Sequence, residues 1–194
     1  MKATILTEAR RLFGEYGYHG TTTRMIAKAV GIDISTLYYH WGEKKDLFEA
    51  VLTDIDQEIE DKLKEIEKQV RGKSIKVRLE VAIDVMCDYW FSKPEVSNLI
   101  INRYISKTRH DLSFDLKVPE YISNIAIAMK MAFDKQSIAI ADKAKIIAVW
   151  NSVFNFVSGE NYFRPLLNIS HDDYIQVVKD TLKFILLPAF TKNM

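Results

Sequence analysis

Apolar residues recur along this chain at three- and four-residue intervals, and no segment sustains the alternation of a half-buried strand. Ile5, Leu6, Ala9, Leu12, Phe13 and Tyr16 form one face of a first helix that ends near Gly17. Two short helices follow, with N-caps offered by Thr21 to Thr23 and by Asp33, and with Gly31 between them. A stripe of Phe48, Val51, Leu52, Ile55, Ile59, Leu63, Ile66 and Val70 holds helical spacing across a fourth helix that begins near Lys44. Its other face, dense in charge from Asp54 to Lys68, reads as a solvated surface with i to i+4 pairing. Gly72-Lys73-Ser74 breaks the pattern. Ile75 to Phe91 is then apolar on most sides, as a central helix would be. Ser92-Lys93-Pro94-Glu95 has the form of a capping box with proline in the first turn, opening a helix to about Arg109. Helices are expected over 120–136, from Asp142 to Ser158 before Gly159, and from the Ser170-His171-Asp172-Asp173 cap to Pro188. The pattern predicts an all-α chain of about nine helices. It divides into a three-helix head (1–46), a connecting helix (47–72) and a helical body (73–194).

The second and third helices carry the most specific spacing. Ala27 is small where two helices must cross closely, and Gly31 falls where the first of them must end in a left-handed residue. Ile26, Val30, Ile32 and Leu37 supply the inner side. This is the pattern of a helix-turn-helix, whose second helix lies in the major groove of DNA; the rival reading is an ordinary helical hairpin in a core. Ser35, Thr36, Tyr39 and His40 favour the former, offering hydroxyls and flat rings to phosphates and base edges. A net charge of +1 excludes a generally basic nucleic-acid coat, and residues 1–46 hold seven Lys/Arg against five acids. Affinity would therefore come from placed contacts and dimerisation. The single cysteine, Cys87, excludes an intrachain disulfide and a multi-cysteine zinc site; the four histidines are not at metal-ligand spacing, and no cofactor is expected. No glycine-rich phosphate loop, nucleophile elbow or triad pattern occurs, so no enzyme is expected. Lys130 interrupts the long apolar stretch from Ile122 to Phe133, and the first residues lack the apolar core of a signal peptide. A soluble, cytoplasmic protein with no membrane partner is expected.

Over residues 1 to about 52 the chain resembles the TetR family of bacterial transcription repressors. The resemblance rests on Ala9-Arg10-Arg11-Leu12-Phe13, Tyr16-Gly17-Tyr18, Thr21-Thr22-Thr23, Ile26-Ala27 and Val30-Gly31-Ile32. It continues through Leu37-Tyr38-Tyr39-His40-Trp41, Lys44-Lys45-Asp46-Leu47 and Val51-Leu52. It implies a homodimer whose third helices enter successive major grooves of a palindromic double-stranded DNA operator. It also implies a ligand pocket in each body, with release from DNA when the ligand shifts the fourth helix. By matching positions, Thr23 and Lys44 would touch phosphate. Ser35, Thr36, Tyr39 and His40 would face bases and phosphates, and Tyr38 would pack in the head while reaching a phosphate. Arg24 and Ile34 complete the candidate DNA surface. Two positions depart from the family's pattern: Asp33, where serine or threonine is common, and Ile34, where lysine is common. Asp33 reads as a cap, with acceptance from a cytosine amino group as the alternative; Ile34 either touches a thymine methyl or is merely exposed.

In the body, Met86, Trp90, Arg103, Tyr104, Met129, Phe133, Trp150, Asn151 and Phe154 are the candidate pocket residues. The aromatics and methionines are core by default, so Arg103 and Asn151 are the sharper pointers, because buried polar groups need partners. The last two long helices are apolar on more than one face. Val153, Val157, Val178, Leu182 and Ile185 are therefore candidate dimer contacts, with monomer core the equal alternative. Glu80, Asp84 and Asp88 share one side of a helix, as a solvated stripe, a stripe relieved by Arg78, or a greeting for a cationic ligand. Together these point to a sequence-specific DNA-binding regulator, a repressor released by a small, largely apolar effector. The rivals are a DNA-binding regulator with no effector, its pocket filled by its own side chains, and an enzyme with a vestigial head.

Overall fold

The computed structural model describes residues 1–105 and 117–191, apart from the side chains of residues 104 and 105. Ten helices and no strand occur among the described residues. They are α1 (Lys2–Gly20), α2 (Thr23–Val30), α3 (Ile34–Trp41), α4 (Lys44–Val70), α5 (Ile75–Ser92), α6 (Pro94–Ile105), α7 (Val118–Ala128), α8 (Ile140–Ser158), α9 (Glu160–Leu167) and α10 (His171–Thr191). The helix that the periodicity did not predict is α9. It is only eight residues long with Pro165 inside it, and although Tyr162, Phe163, Leu166 and Leu167 share a helical spacing, none of its residues is buried. The helix expected over 120–136 stops at Ala128. Lys130 turns left-handed (φ 57°), and Asp134 closes a turn by accepting from the backbone N–H groups of Gln136 and Ser137 at 2.9 and 2.8 Å. Within α1 the helical path breaks at Gly17 (φ 70°), where the pattern placed its end.

Side-chain caps open α2 and α10. The Thr22 hydroxyl accepts from the Met25 N–H at 3.2 Å, and Ser170 accepts from the Asp173 N–H at 3.1 Å. Two expected caps do not form. Asp33 holds the N-cap position of α3 but makes no side-chain cap bond. The Ser92 hydroxyl donates to the Tyr89 carbonyl, and Glu95 reaches Arg10, so no capping box opens α6.

The chain forms two compact units, residues 1–58 with 93–116, and residues 59–92 with 117–194. In the first, Ile5, Phe13, Ile26, Leu37, Leu47 and Leu52 are fully buried. There α6 lies along α1 at Gly14, where a side-chain carbon would come within 2.5 Å of the Glu95 carbonyl oxygen. In the second unit α5 packs on α10, and Tyr174, Val178 and Leu182 are buried. The Tyr174 hydroxyl donates to the Phe156 carbonyl at 2.9 Å, and burial pushes its pKa to about 12. The acidic stripe of α5 is matched by cations. Asp84 pairs with Lys183 at 2.6 Å, Asp88 with Lys179, and Glu80 with Lys76 at 4.0 Å. Arg78 turns elsewhere, to Glu67 at 2.7 Å and the Val70 carbonyl at 3.2 Å.

Candidate nucleic-acid interface and ligand cavity

The turn between α2 and α3 follows from its glycine. Gly31 is left-handed (φ 77°); its N–H donates to Lys28 O at 3.2 Å, and the Ile32 N–H donates to Ala27 O at 3.0 Å. This paired closure satisfies two carbonyls that the helix end would leave open, and a side chain at that φ would strain it. Ile26 and Ala27 lie inside, at 0% and 2% exposure, and Leu37 anchors α3 from below. The face of α3 away from this core is what the sequence offered to DNA. Tyr39 is 85% exposed and Tyr38 47%. Ser35 is exposed, while Ile34, Thr36 and His40 are half-buried, with the His40 ring edge-on to Tyr39 at 5.2 Å. On α2, Thr23 is half-buried in the first turn and Arg24 is exposed. These eight side chains belong to one pair of short helices. Because Asp33 makes no cap bond, its exposed carboxylate stands uncommitted beside them.

Lys44 is placed differently from a free phosphate ligand. Its ammonium donates to the Tyr18 and Thr21 carbonyls at 3.0 and 3.1 Å and sits 4.2 Å above the Tyr18 ring. Partial burial lowers its pKa below the usual lysine value. Two of its three N–H donors are thus engaged by carbonyls. Sequence reasoning missed Arg10, which reads like its neighbour Arg11. It is 7% exposed and gathers Asp54 (3.2 Å), Glu58 (2.7 Å) and Glu95 (3.1 Å), so α1, α4 and α6 share one ionic centre. Arg11 pairs at the surface with Glu8 and Glu15.

The second unit encloses a cavity of about 740 Å³, between the C-terminal half of α4 and helices α5, α7 and α8, with Phe190 of α10. This falls in the range of small-molecule sites. Met86, Trp90, Met129 and Trp150 line it. Phe154 stands behind them, its ring 4.9 Å from Trp90 and 6.1 Å from Trp150. Phe133 is fully exposed on the turn after α7, and Asn151 is exposed on α8; neither lines the cavity. Arg103 lies on α6 in the other unit, and the side chain of Tyr104 lies outside the described residues. Leu63, Tyr121 and Lys130 also line it; the first two do not stand out by pattern because a cavity wall and a packed core use the same side chains, and Lys130 reads as an ordinary surface lysine.

Among the candidate dimer contacts, Val153, Val157, Val178 and Leu182 are buried within the unit, at 7%, 3%, 1% and 1% exposure. Only Ile185 faces outward, at 56%. The inward and outward apolar faces of α8 and α10 cannot be told apart by periodicity, and the outward ones carry other residues. They are Ile140 (85%) and Ile147 (43%) on α8, and Val177 (43%) and Phe184 (81%) on α10. Among the described residues no group of His, Cys, Asp or Glu could hold a metal ion, and no helix is long and apolar enough to cross a membrane.

Residues 5–51 match the profile of the bacterial regulatory proteins of the tetR family. Over 49 residues the chain is 49% identical to IcaR, the negative transcriptional regulator of the biofilm operon icaADBC in Staphylococcus aureus, covering 25% of this chain and 26% of that one. Over 47 residues it is 43% identical to the transcriptional repressor AcnR of Corynebacterium glutamicum, covering 24% and 25%. The matched segment thus spans about a quarter of the length of these relatives. The fold is similar to that of the fatty acid degradation regulator FadR from Bacillus halodurans, with a TM-score of 0.63 at 14% identity over 94% of each chain. The likeness to tetR-family regulators at the level of sequence thus lies in the head, residues 5–51, and the likeness across the rest of the chain is one of fold.

Proposed function

We propose that this protein is a sequence-specific DNA-binding transcription regulator that works in the cytoplasm as a homodimer. In this reading it is a repressor, released from a palindromic operator by a small, largely apolar effector. The observation that carries the reading is the exposed, uncharged face of α3, with Tyr39 at 85% exposure over a firmly closed turn. A core hairpin would bury such a ring. Thr23, Arg24 and the remaining donor of Lys44 would hold phosphates, while Ile34, Ser35, Thr36, Tyr39 and His40 would meet base edges and Tyr38 a phosphate. The outward apolar rows of α8 and α10 would pair with a second copy, and the cavity would take the effector. A cavity of about 740 Å³ argues for that arrangement over a body packed solid with its own side chains.

Selection of random duplexes by the full-length protein tests this. The expected product is a palindrome whose half-site centres lie about one helical turn apart, or farther if the heads are set wide. Tyr39→Ala should leave the melting temperature unchanged yet weaken the selected site more than random DNA. Equal binding of selected and random duplexes at moderate salt would overturn the reading.

A further inference from the structure

The buried part of the cavity wall is apolar apart from Arg78, with Ile59, Leu79, Ile83 and Trp90 each below 9% exposure. The other charged side chains and the Asn124 amide lie toward the rim, half-buried or exposed. The state of each rim group decides what kind of head group the site can answer. All three rim carboxylates are already paired: Glu60 with Lys117 at 2.8 Å, Glu67 with Arg78 at 2.7 Å, and Glu120 with Lys135 at 3.7 Å. Lys64 is paired with Asp61 at 3.1 Å. Lys130 is different. Its ammonium has no ion pair or hydrogen bond among the described residues, and neither does the side-chain amide of Asn124. The Lys130 backbone is pinned at the end of α7, left-handed at φ 57° with its N–H on the Ile127 carbonyl at 2.9 Å.

We propose that the cavity is built for an amphiphile with a single anionic head, in the simplest case a chain carboxylate, its apolar body inside and its head at Lys130 and Asn124. This rests on the reading of the cavity as a ligand site. The sign of the head follows from the pairing. A cationic head would find no uncommitted carboxylate and would have to break an existing ion pair. A neutral head would leave Lys130 with water alone. An anion gains a charge-assisted hydrogen bond from Lys130 and a second donor from the Asn124 amide. Asn151 and Arg103, the polar groups that the sequence put forward for this role, are not on the lining.

Tryptophan emission reads occupancy directly, because Trp90 and Trp150 line the cavity and the third tryptophan, Trp41, belongs to the other unit. Laurate, dodecanol and dodecyltrimethylammonium, each below its micelle concentration, present one chain with an anionic, neutral and cationic head. Laurate should quench saturably and bind roughly tenfold more tightly than dodecanol, as one partly exposed ion pair allows. Lys130→Gln should erase that preference while leaving dodecanol affinity and helical content unchanged, and Lys130→Arg should keep it. A laurate preference that survives Lys130→Gln, or equal binding of the cationic probe, would overturn the head-group assignment while the cavity stays a ligand site. If none of the three probes changes the emission, the ligand-site reading falls with it. Operator binding, measured separately on the same preparation, is untouched by either failure.

Discussion

Lys44 joins two tasks that a sequence comparison separates. The resemblance implies a phosphate contact, whereas its ammonium ties the exit of α1 to the start of α2 through the Tyr18 and Thr21 carbonyls. Those acceptors are presented by the break at Gly17, which no spacing rule connects to a lysine so far along the chain. Lys44→Ala should therefore cost stability, about 1 to 3 kcal/mol for the stranded carbonyls, and should also weaken DNA of every sequence, lowering the salt slope by about one. Thermal unfolding and salt titration read the two effects apart; lost DNA affinity with unchanged melting would reduce Lys44 to a phosphate ligand alone. Cys87 is a simpler case. Burial raises its thiol from 9.0 to about 12, so the folded state holds the proton that the unfolded state releases. Its contribution to stability is complete below pH 9 and is lost as pH climbs toward 12. At pH 8 alkylation by iodoacetamide should be slower in the folded protein than in urea by on the order of a hundredfold or more. Comparable rates would mean that the thiol is open to solvent.

At the scale of helices, the elements with long apolar stripes were legible and those shaped by polar contacts were not. α4 and α5 declare themselves by periodicity. α9 has no buried residue, and α7 ends early because Lys130 adopts a backbone conformation that its identity does not announce. The start of α6 looked like a capping box, but Glu95 serves Arg10 instead. That choice binds α1, α4 and α6 through one guanidinium facing three carboxylates, and it depends on Gly14 letting α6 approach. Arg10→Met should leave Asp54, Glu58 and Glu95 facing one another and destabilise the protein by about 3 kcal/mol. This is the lower end for a broken buried pair, since Asp54 remains 44% exposed. Adding Glu95→Gln should recover part of the loss, and denaturant unfolding of the single and double variants measures the coupling. Independent, additive effects would show that the centre does not act as one network. Helix α3 is the most legible element of the candidate site, because its local spacing and its outward polarity point the same way.

For the whole molecule, the all-helical fold could be read from the sequence, but the assignment of faces could not. α8 and α10 are apolar on two sides, and only packing tells which side is core. That distinction changes the experiment that tests assembly. A charge at Leu182, 1% exposed, would disrupt the unit's own interior and report on folding, whereas Phe184 at 81% exposure and Ile147 at 43% can take a charge with the fold intact. If the outward rows pair with a second copy, the wild-type protein should sediment as a dimer at micromolar concentration. Phe184→Glu should then give monomers with unchanged helical content. Those monomers should also lose the selected palindrome while keeping weak binding to a single half-site, because two heads gain affinity only when one dimer presents both. A wild-type monomer, or a Phe184→Glu variant that still sediments as a dimer, would place the interface elsewhere. Loss of helix in the same variant would show that Phe184 supports the unit itself. Unchanged palindrome binding by a proven monomer would mean that one head suffices, and the symmetry argument for the operator would fall with it.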